Sequence, residues 1–152
     1  MFKVYLAGPI GGLSYEDAFA GWRQKAEYLF ATSPEIQTYN PMRFKEVLKG
    51  ELKLDGQEYE GDPLVTPHGI FNRDMHDVMS CDAMIINFVG SETKSIGTCV
   101  EIGWATAFRK PFVMVTDDKN PHQGPFIKAC TPFITSDLET GVEMIKRLLL
   151  SR

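Results

Sequence analysis

Three short runs in this chain are apolar at almost every position: Val4-Tyr-Leu-Ala7, Ala83-Met-Ile-Ile-Asn-Phe88 and Phe112-Val-Met-Val-Thr116. A strand with one wet face alternates apolar and polar residues. A run without that alternation must be covered on both faces, which a parallel sheet between two layers of helices provides. Stretches with helical spacing lie between these runs. The order is of the βαβαβαβ type, and it predicts a three-layer, doubly wound α/β domain, flavodoxin-like or Rossmann-like, with a parallel sheet of about five strands. The 152 residues leave room for one domain, 1–152, with a real hydrophobic core.

The remaining elements follow from local signals. Ser14 can cap a helix from Tyr15 to about Phe30, with Phe19, Trp22, Ala26 and Leu29 along one face. Ile36 to Tyr39 reads as a second strand, ended by Asn40-Pro41. Residues 43–68 have no clear period. Phe44 to Leu48 can make a helical turn or two, and Asp55-Gly56 and Gly61-Asp62-Pro63 are turn signals. This insertion is expected to be a mobile or ligand-covering loop. Gly69 to Ser80 reads as a helix with Ile70, Met75 and Val78 or Met79 inward, and Thr98 to Arg109 as another. Asp117 to Gly124 is a polar loop and Pro132 to Thr135 a last strand. Ser136 then caps a final helix, with Glu139 completing a capping box and Val142, Ile145, Leu148 and Leu149 inward.

Composition removes several function classes. Net charge is −4 and the basic residues are scattered, which argues against nucleic acid as a partner, since phosphate backbones need clustered Lys and Arg. No run reaches the ~20 apolar residues of a membrane span, and Gly8-Pro9 stops the first apolar run short of a secretion signal. Cys81, Cys99 and Cys130 have no metal-ligand spacing; for Cys81 and Cys99, beside or within apolar runs, buried free thiols are the simpler reading, and free thiols fit a cytoplasmic protein.

Open α/β sheets hold ligands in the crevice at the carboxyl ends of their strands. Three segments fall there. Gly8-Pro-Ile-Gly-Gly12 can bring backbone N–H groups to an anion, or can simply turn the chain from strand to helix; it lacks the dinucleotide-binding glycine pattern. Asp74 and Asp77 lie three apart on a helix. Asp77 reads as part of a solvated face, His76 as a surface histidine, and Asp74 equally well as solvated or functional. Ser95-Ile-Gly-Thr-Cys-Val-Glu101 puts a carboxylate in a first helical turn. Thr98-x-x-Glu101 fits a capping box, and from the residues alone the cap is favoured over a reactive glutamate. Gly97 and Gly103 allow close backbone approach, and a helical glycine such as Gly103, which costs ~1 kcal/mol, is expected to have a packing reason.

Taken in order, Tyr5-Leu-Ala-Gly-Pro, Arg73-Asp74 with Cys81-Asp82 beyond, and Gly97-Thr-Cys-Val-Glu-Ile-Gly-Trp-Ala105 resemble the nucleoside 2-deoxyribosyltransferase family over residues 4 to 116. The resemblance implies that Glu101 attacks C1′ of a 2-deoxyribose to give a covalent glycosyl-enzyme, that Asp74 handles the proton of the leaving base, and that Tyr5 holds the nucleophile. It implies substrate contacts from Gly8, Pro9, Ile10, Gly11, Ser95 and Gly97, no cofactor or metal, and a homo-oligomer. The partners it implies are a small deoxynucleoside or deoxynucleotide and a free nucleobase. A base as acceptor gives transfer; water gives hydrolysis.

Two departures matter. Transferases acting on free nucleosides carry an aspartate six residues before the glutamate; the related 5′-monophosphate hydrolases carry serine, as Ser95 does here. Those hydrolases also place a serine and an arginine in the first loop, where this chain has Pro9 and Gly11. A phosphate would then be held by backbone N–H groups, Ser95 and a basic residue from the insertion or a neighbouring subunit. The asparagine that transferases lend to a neighbour's site has no counterpart in Pro125-Phe-Ile-Lys128. Two further readings use the same fold. One is a non-catalytic nucleotide-binding or sensing module in which Glu101 is only a cap. The other, a response-regulator-like domain, needs acidic residues that Ala7-Gly8-Pro9 does not supply.

Overall fold

A computed structural model of the chain describes residues 1–54 and 62–151. The elements are β1 (Phe2–Ala7), α1 (Tyr15–Phe19), α2 (Gly21–Phe30), β2 (Ile36–Tyr39), α3 (Pro67–Ser80), β3 (Ala83–Asn87), α4 (Ile96–Ala107), β4 (Phe112–Val115), α5 (Pro125–Cys130), β5 (Phe133–Thr135) and α6 (Leu138–Leu150). The strands form one five-stranded sheet in the order β2-β1-β3-β4-β5, and every pairing is parallel. Strand order reverses between β1 and β3, so the crevice for a ligand opens at the carboxyl ends of those two strands.

Alternation along the strands sorts the core into two halves. Val4, Leu6, Ala83, Ile85, Val113 and Val115 face α2 and α6. Tyr5, Ala7, Met84, Ile86, Phe112 and Met114 face α3 and α4. The continuous apolar runs are therefore buried on both faces, as a parallel sheet demands. Gly141 lets α6 lie close to the sheet: a Cβ there would stand 2.9 Å from Val115 Cγ2. Among the described residues no helix is long and apolar enough to cross a membrane.

Several local expectations are corrected. The first helix is two helices, broken at Ala20. The carbonyls of Ala18 and Phe19, which a continuous helix would use, instead accept side-chain donors: Arg23 Nη1 at 2.8 Å and Asn40 Nδ2 at 3.2 Å. Arg23, on the stripe between Phe19 and Ala26, is wholly buried. α3 begins at Pro67, capped by Thr66, and its buried side chains are Asp74, Asp77 and Val78, while Met79 is exposed. Asp77 is thus not solvated; its carboxylate pairs with Arg43 at 2.7 Å. α6 is capped by Asp137, not Ser136, and Glu139 pairs with Lys25. The loop after β4 contains the short α5, whose six residues are too few to show a helical period. A Cβ on Gly103 would meet nothing within 4 Å among the described residues, so no packing among them explains this glycine.

The first part of the 43–68 insertion is anchored. Met42, Leu48 and Leu54 form a small apolar cluster with Tyr15 and Ala18. Gly12 N–H donates to Leu54 O at 2.7 Å, and Leu54 N–H donates to Leu13 O at 2.8 Å. Glu46–Leu48 is one 3-10 turn. Asp55, Gly56, Gln57, Glu58, Tyr59 and Gly61 lie outside the described residues.

Candidate functional site

A cavity of about 620 Å³ opens at the switch point, within the size range of small-molecule sites. The β1–α1 loop gives Gly8, Pro9, Ile10 and Gly11; α3 gives Asp74; the start of α4 gives Ser95, Gly97, Thr98 and Glu101. Lys45, Leu48 and Leu54 of the insertion, with Met42 just before it, close the cavity. Every residue that the sequence nominates for the site lines this cavity except Tyr5, which lies directly beneath it.

Glu101 and Tyr5 meet because β1 and α4 are packed layers. Tyr5 points from β1 toward α3 and α4 and has no exposed surface. Its hydroxyl donates to Glu101 Oε1 at 2.7 Å. Burial, and the nearby carboxylates of Glu101 and Asp74, hold the Tyr5 phenol well above its usual range, so it remains a donor. The bond occupies one oxygen of Glu101 and leaves the other to face the cavity.

The capping box that the sequence favours does not form. Ser95 caps α4 three residues earlier than Thr98 would, with its Oγ at 2.9 Å from Thr98 Oγ1 and 3.4 Å from Thr98 N. Glu101 therefore sits in the second turn, and its side chain points to Tyr5 rather than back to the helix start.

Glu101 is 8% exposed. Burial first, and Asp74 second, push its carboxyl up to about 8, against the Tyr5 bond and the charges of Arg23 and Lys45. Asp74 is raised too, by burial, with Lys45 and Arg73 opposing. Burial thus biases both carboxyls toward their protonated forms. Such a pair allows one group to attack while the other supplies a proton.

Two buried cations frame the pair, and neither was nominated by its sequence surroundings. Arg23 donates to Leu6 O at 3.2 Å, Ala18 O at 2.8 Å and Gly8 O at 2.8 Å, and stacks on Trp22. It ties the end of β1 and the glycine loop to α2 without spending its charge on a carboxylate. Lys45 is 2% exposed and lines the cavity. It comes from the 43–68 insertion. The only sequence signal for either is a Lys or Arg amid residues that pack.

At the other side of the cavity, Ser95 N–H donates to His122 Nε2 at 2.7 Å. His122 Nδ1 lies 2.8 Å from Asn120 Oδ1, and Asn120 Nδ2 donates to Phe88 O at 2.6 Å. Because Nε2 accepts, His122 is neutral with its proton on Nδ1. His68 and His76 lie exposed on α3. Among the described residues no group of three or more His, Cys, Asp or Glu is placed to hold a metal ion.

Comparison with known proteins gives the site a context. No curated protein matches the sequence. Solved structures do match the fold. A 2-deoxyribosyltransferase from Bacillus psychrosaccharolyticus superposes with a TM-score of 0.62 at 15% identity, over 95% of this chain and 90% of that one. A CMP N-glycosidase from Clostridium botulinum gives 0.55 at 18% identity, over 97% and 99%. A molybdenum cofactor binding protein from Rippkaea orientalis gives 0.56 at 18% identity, over 97% of each chain. At these identities the likeness is one of fold. The family model described as nucleoside 2-deoxyribosyltransferase, however, matches residues 4–145 of this sequence, nearly its whole length, and the chain therefore belongs to that family.

Proposed function

We propose that this protein cleaves the N-glycosidic bond of 2′-deoxynucleosides or their 5′-monophosphates through a covalent deoxyribosyl-Glu101 intermediate. Family membership supports deoxyribosyl transfer or N-glycosidic cleavage in general. The observation that carries the finer reading is the buried Glu101, bonded through one oxygen to Tyr5 and sharing the cavity with Asp74. In the first step the free oxygen of Glu101 attacks C1′. The C1′–N bond breaks, its electron pair goes to the base nitrogen, and Asp74 delivers the proton that the base needs. In the second step a free base or water attacks C1′ and releases Glu101, with Asp74 taking the proton back.

Ser95, Gly97 and the Gly8–Gly11 loop would hold the sugar and its 5′ group. Ser95 carries no charge to repel a phosphate, which favours a nucleotide substrate. Its own backbone and hydroxyl are already fixed by His122 and Thr98, so it offers a hydroxyl of set position. Self-association belongs to the same proposal: α5 buries none of its residues within this chain, and Phe126 on it is 87% exposed.

The test is incubation of the protein with deoxynucleosides and deoxynucleoside 5′-monophosphates, with and without a second free base, followed by chromatography of the bases. Base release or exchange is expected, and Glu101→Ala should abolish it while the fold remains. If none of these substrates releases its base, the proposal is wrong; wild-type turnover in Glu101→Ala would remove the nucleophile role alone.

A further inference from the structure

Lys45 has no part in the chemistry outlined above, yet its position is costly to maintain. A lysine almost never lies fully inside a protein unless its charge has work or a partner. Lys45 is 2% exposed, and its segment is pinned so that it stays inward. Arg73 of α3 donates to Pro41 O and to Arg43 O, the latter at 3.3 Å, and Arg43 pairs with Asp77 of the same helix. Asn40 Oδ1 accepts from Met42 N at 2.9 Å. The turn that carries Lys45 is therefore riveted to the helix that carries Asp74.

Four charged groups lie near enough to act on Lys45: Asp74, Arg73, Arg23 and Glu101. Attraction to Asp74 is the largest of these influences. Burial draws the ammonium down to about 8, so it is still mostly protonated at neutral pH. Its neighbours along the chain in the cavity wall, Met42, Leu48 and Leu54, are apolar. Lys45 is thus a cation lining the same cavity as Asp74, beside apolar side chains that strengthen its field.

Resting on the reaction proposed above, we propose that Lys45 is a catalytic residue whose ammonium faces the departing nucleobase and balances the negative charge that C1′–N cleavage places on the base and on Asp74. No proton leaves Lys45 in this step. The bond pair moves to the base nitrogen, Asp74 gives up its proton, and the charge that results on either group is met by the same ammonium. Such a group works only when charge develops, so it acts on the transition state more than on substrate binding.

The experiment compares the wild-type protein with Lys45→Met, Lys45→Gln and Lys45→Arg on a series of deoxyribosides whose bases differ chiefly in ring N–H acidity: uracil and its 5-halogenated derivatives, or 8-substituted hypoxanthines if only purines turn over. Exchanging a buried ammonium for a methionine of similar length leaves the core filled, and thermal melts will register whether each variant folds. Lys45→Met should lower kcat by about 10²–10³ for the least acidic base and progressively less as the base becomes more acidic, with KM little changed. Lys45→Arg, which keeps the charge, should restore most of the rate. An equal loss across the series, a rise in KM with kcat intact, or rescue by Lys45→Gln as good as by Lys45→Arg would overturn the role. No base release by the wild-type protein from any of these substrates would remove the reaction itself, and this role with it.

Discussion

Tyr5→Phe isolates one hydrogen bond at the centre of the site. The phenyl ring fills the same space in the α3/α4 half of the core, so the only group lost is the hydroxyl that donates to Glu101 at 2.7 Å. That bond favours the ionised carboxylate, and it is one of the forces holding the Glu101 carboxyl down to about 8. At pH 7 a group with that value is ionised in only about one molecule in ten. A hydrogen bond to a charged acceptor contributes ~1.5–3 kcal/mol, and ~1.4 kcal/mol is a factor of ten in ionisation. Removing it should lower the attacking fraction, and with it kcat/KM at pH 7, by about ten- to a hundred-fold. The direction is fixed: the loss is largest at low pH and shrinks as pH rises and Glu101 ionises unaided. The assay is the pH profile of kcat/KM for both proteins on one substrate. A constant ratio between the two profiles at all pH values would refute the argument, since Tyr5 would then act by something other than the ionisation of Glu101.

Three other outcomes follow from the geometry. Glu101 holds its proton in the fold up to about 8 but gives it up near the ordinary 4.5 when unfolded, so the unfolded state loses protons first and the fold is increasingly disfavoured as pH rises between those values. Glu101→Gln should therefore melt higher than wild type at pH 8, by the equivalent of up to a few kcal/mol, and should match it near pH 5; equal melting temperatures at pH 8 would contradict the buried carboxyl. His122 is buried as the neutral ring, its affinity for a proton lowered first by burial and then by Lys94. Protonation would replace the acceptor at Nε2 by a donor facing Ser95 N–H, so stability should fall as pH drops below about 6.5; His122→Gln, which offers an uncharged oxygen, should flatten that limb of the melting curve, and an unchanged limb would exclude His122 as its source. A Cβ on Gly8 would stand 2.8 Å from Asn87 O and 3.0 Å from Trp22, with backbone on one side and a packed ring on the other. Gly8→Ala should cost about 1–3 kcal/mol, read as a lower melting temperature, and an unaltered melt would mean that the glycine loop shifts freely.

The architecture was legible because it is written in strands. Val4–Ala7, Ala83–Phe88 and Phe112–Thr116 carry their layer and their crevice in unbroken apolarity, and a parallel sheet requires no distant information to be inferred from them. Glu101 could be placed beyond a strand end by the same logic, whereas Asp74, in the middle of a helix, read equally well as solvated or functional. What stayed hidden depends on partners far away in the chain. Arg23 looks like a solvated member of an amphipathic helix until Leu6, Gly8 and Ala18 turn carbonyls toward it. Asp77 looks solvated until Arg43, 34 residues away, closes on it. Lys45 lies in a segment without period, so no face could be assigned to it. The start of α4 was misjudged for another reason: both Ser95 and Thr98 are competent caps, and the choice is settled by His122, 27 residues downstream, holding the Ser95 backbone. Local propensity cannot arbitrate between two good caps when a tertiary contact does.

The cap at Ser95 makes the first turns of α4 a ruler. An α-helix advances ~1.5 Å and turns ~100° with each residue. The stretch from Ser95 to Glu101 thus fixes how far the polar end of the cavity stands from the carboxylate, ~9 Å along the axis, and also the bearing of that carboxylate. Deleting or inserting one residue among 96–100 would swing Glu101 through more than a quarter of a circle, away from Tyr5. The side chains of that stretch are freer to vary than their number, and in this protein it is the count of residues, more than their identity, that the site has no means to forgive.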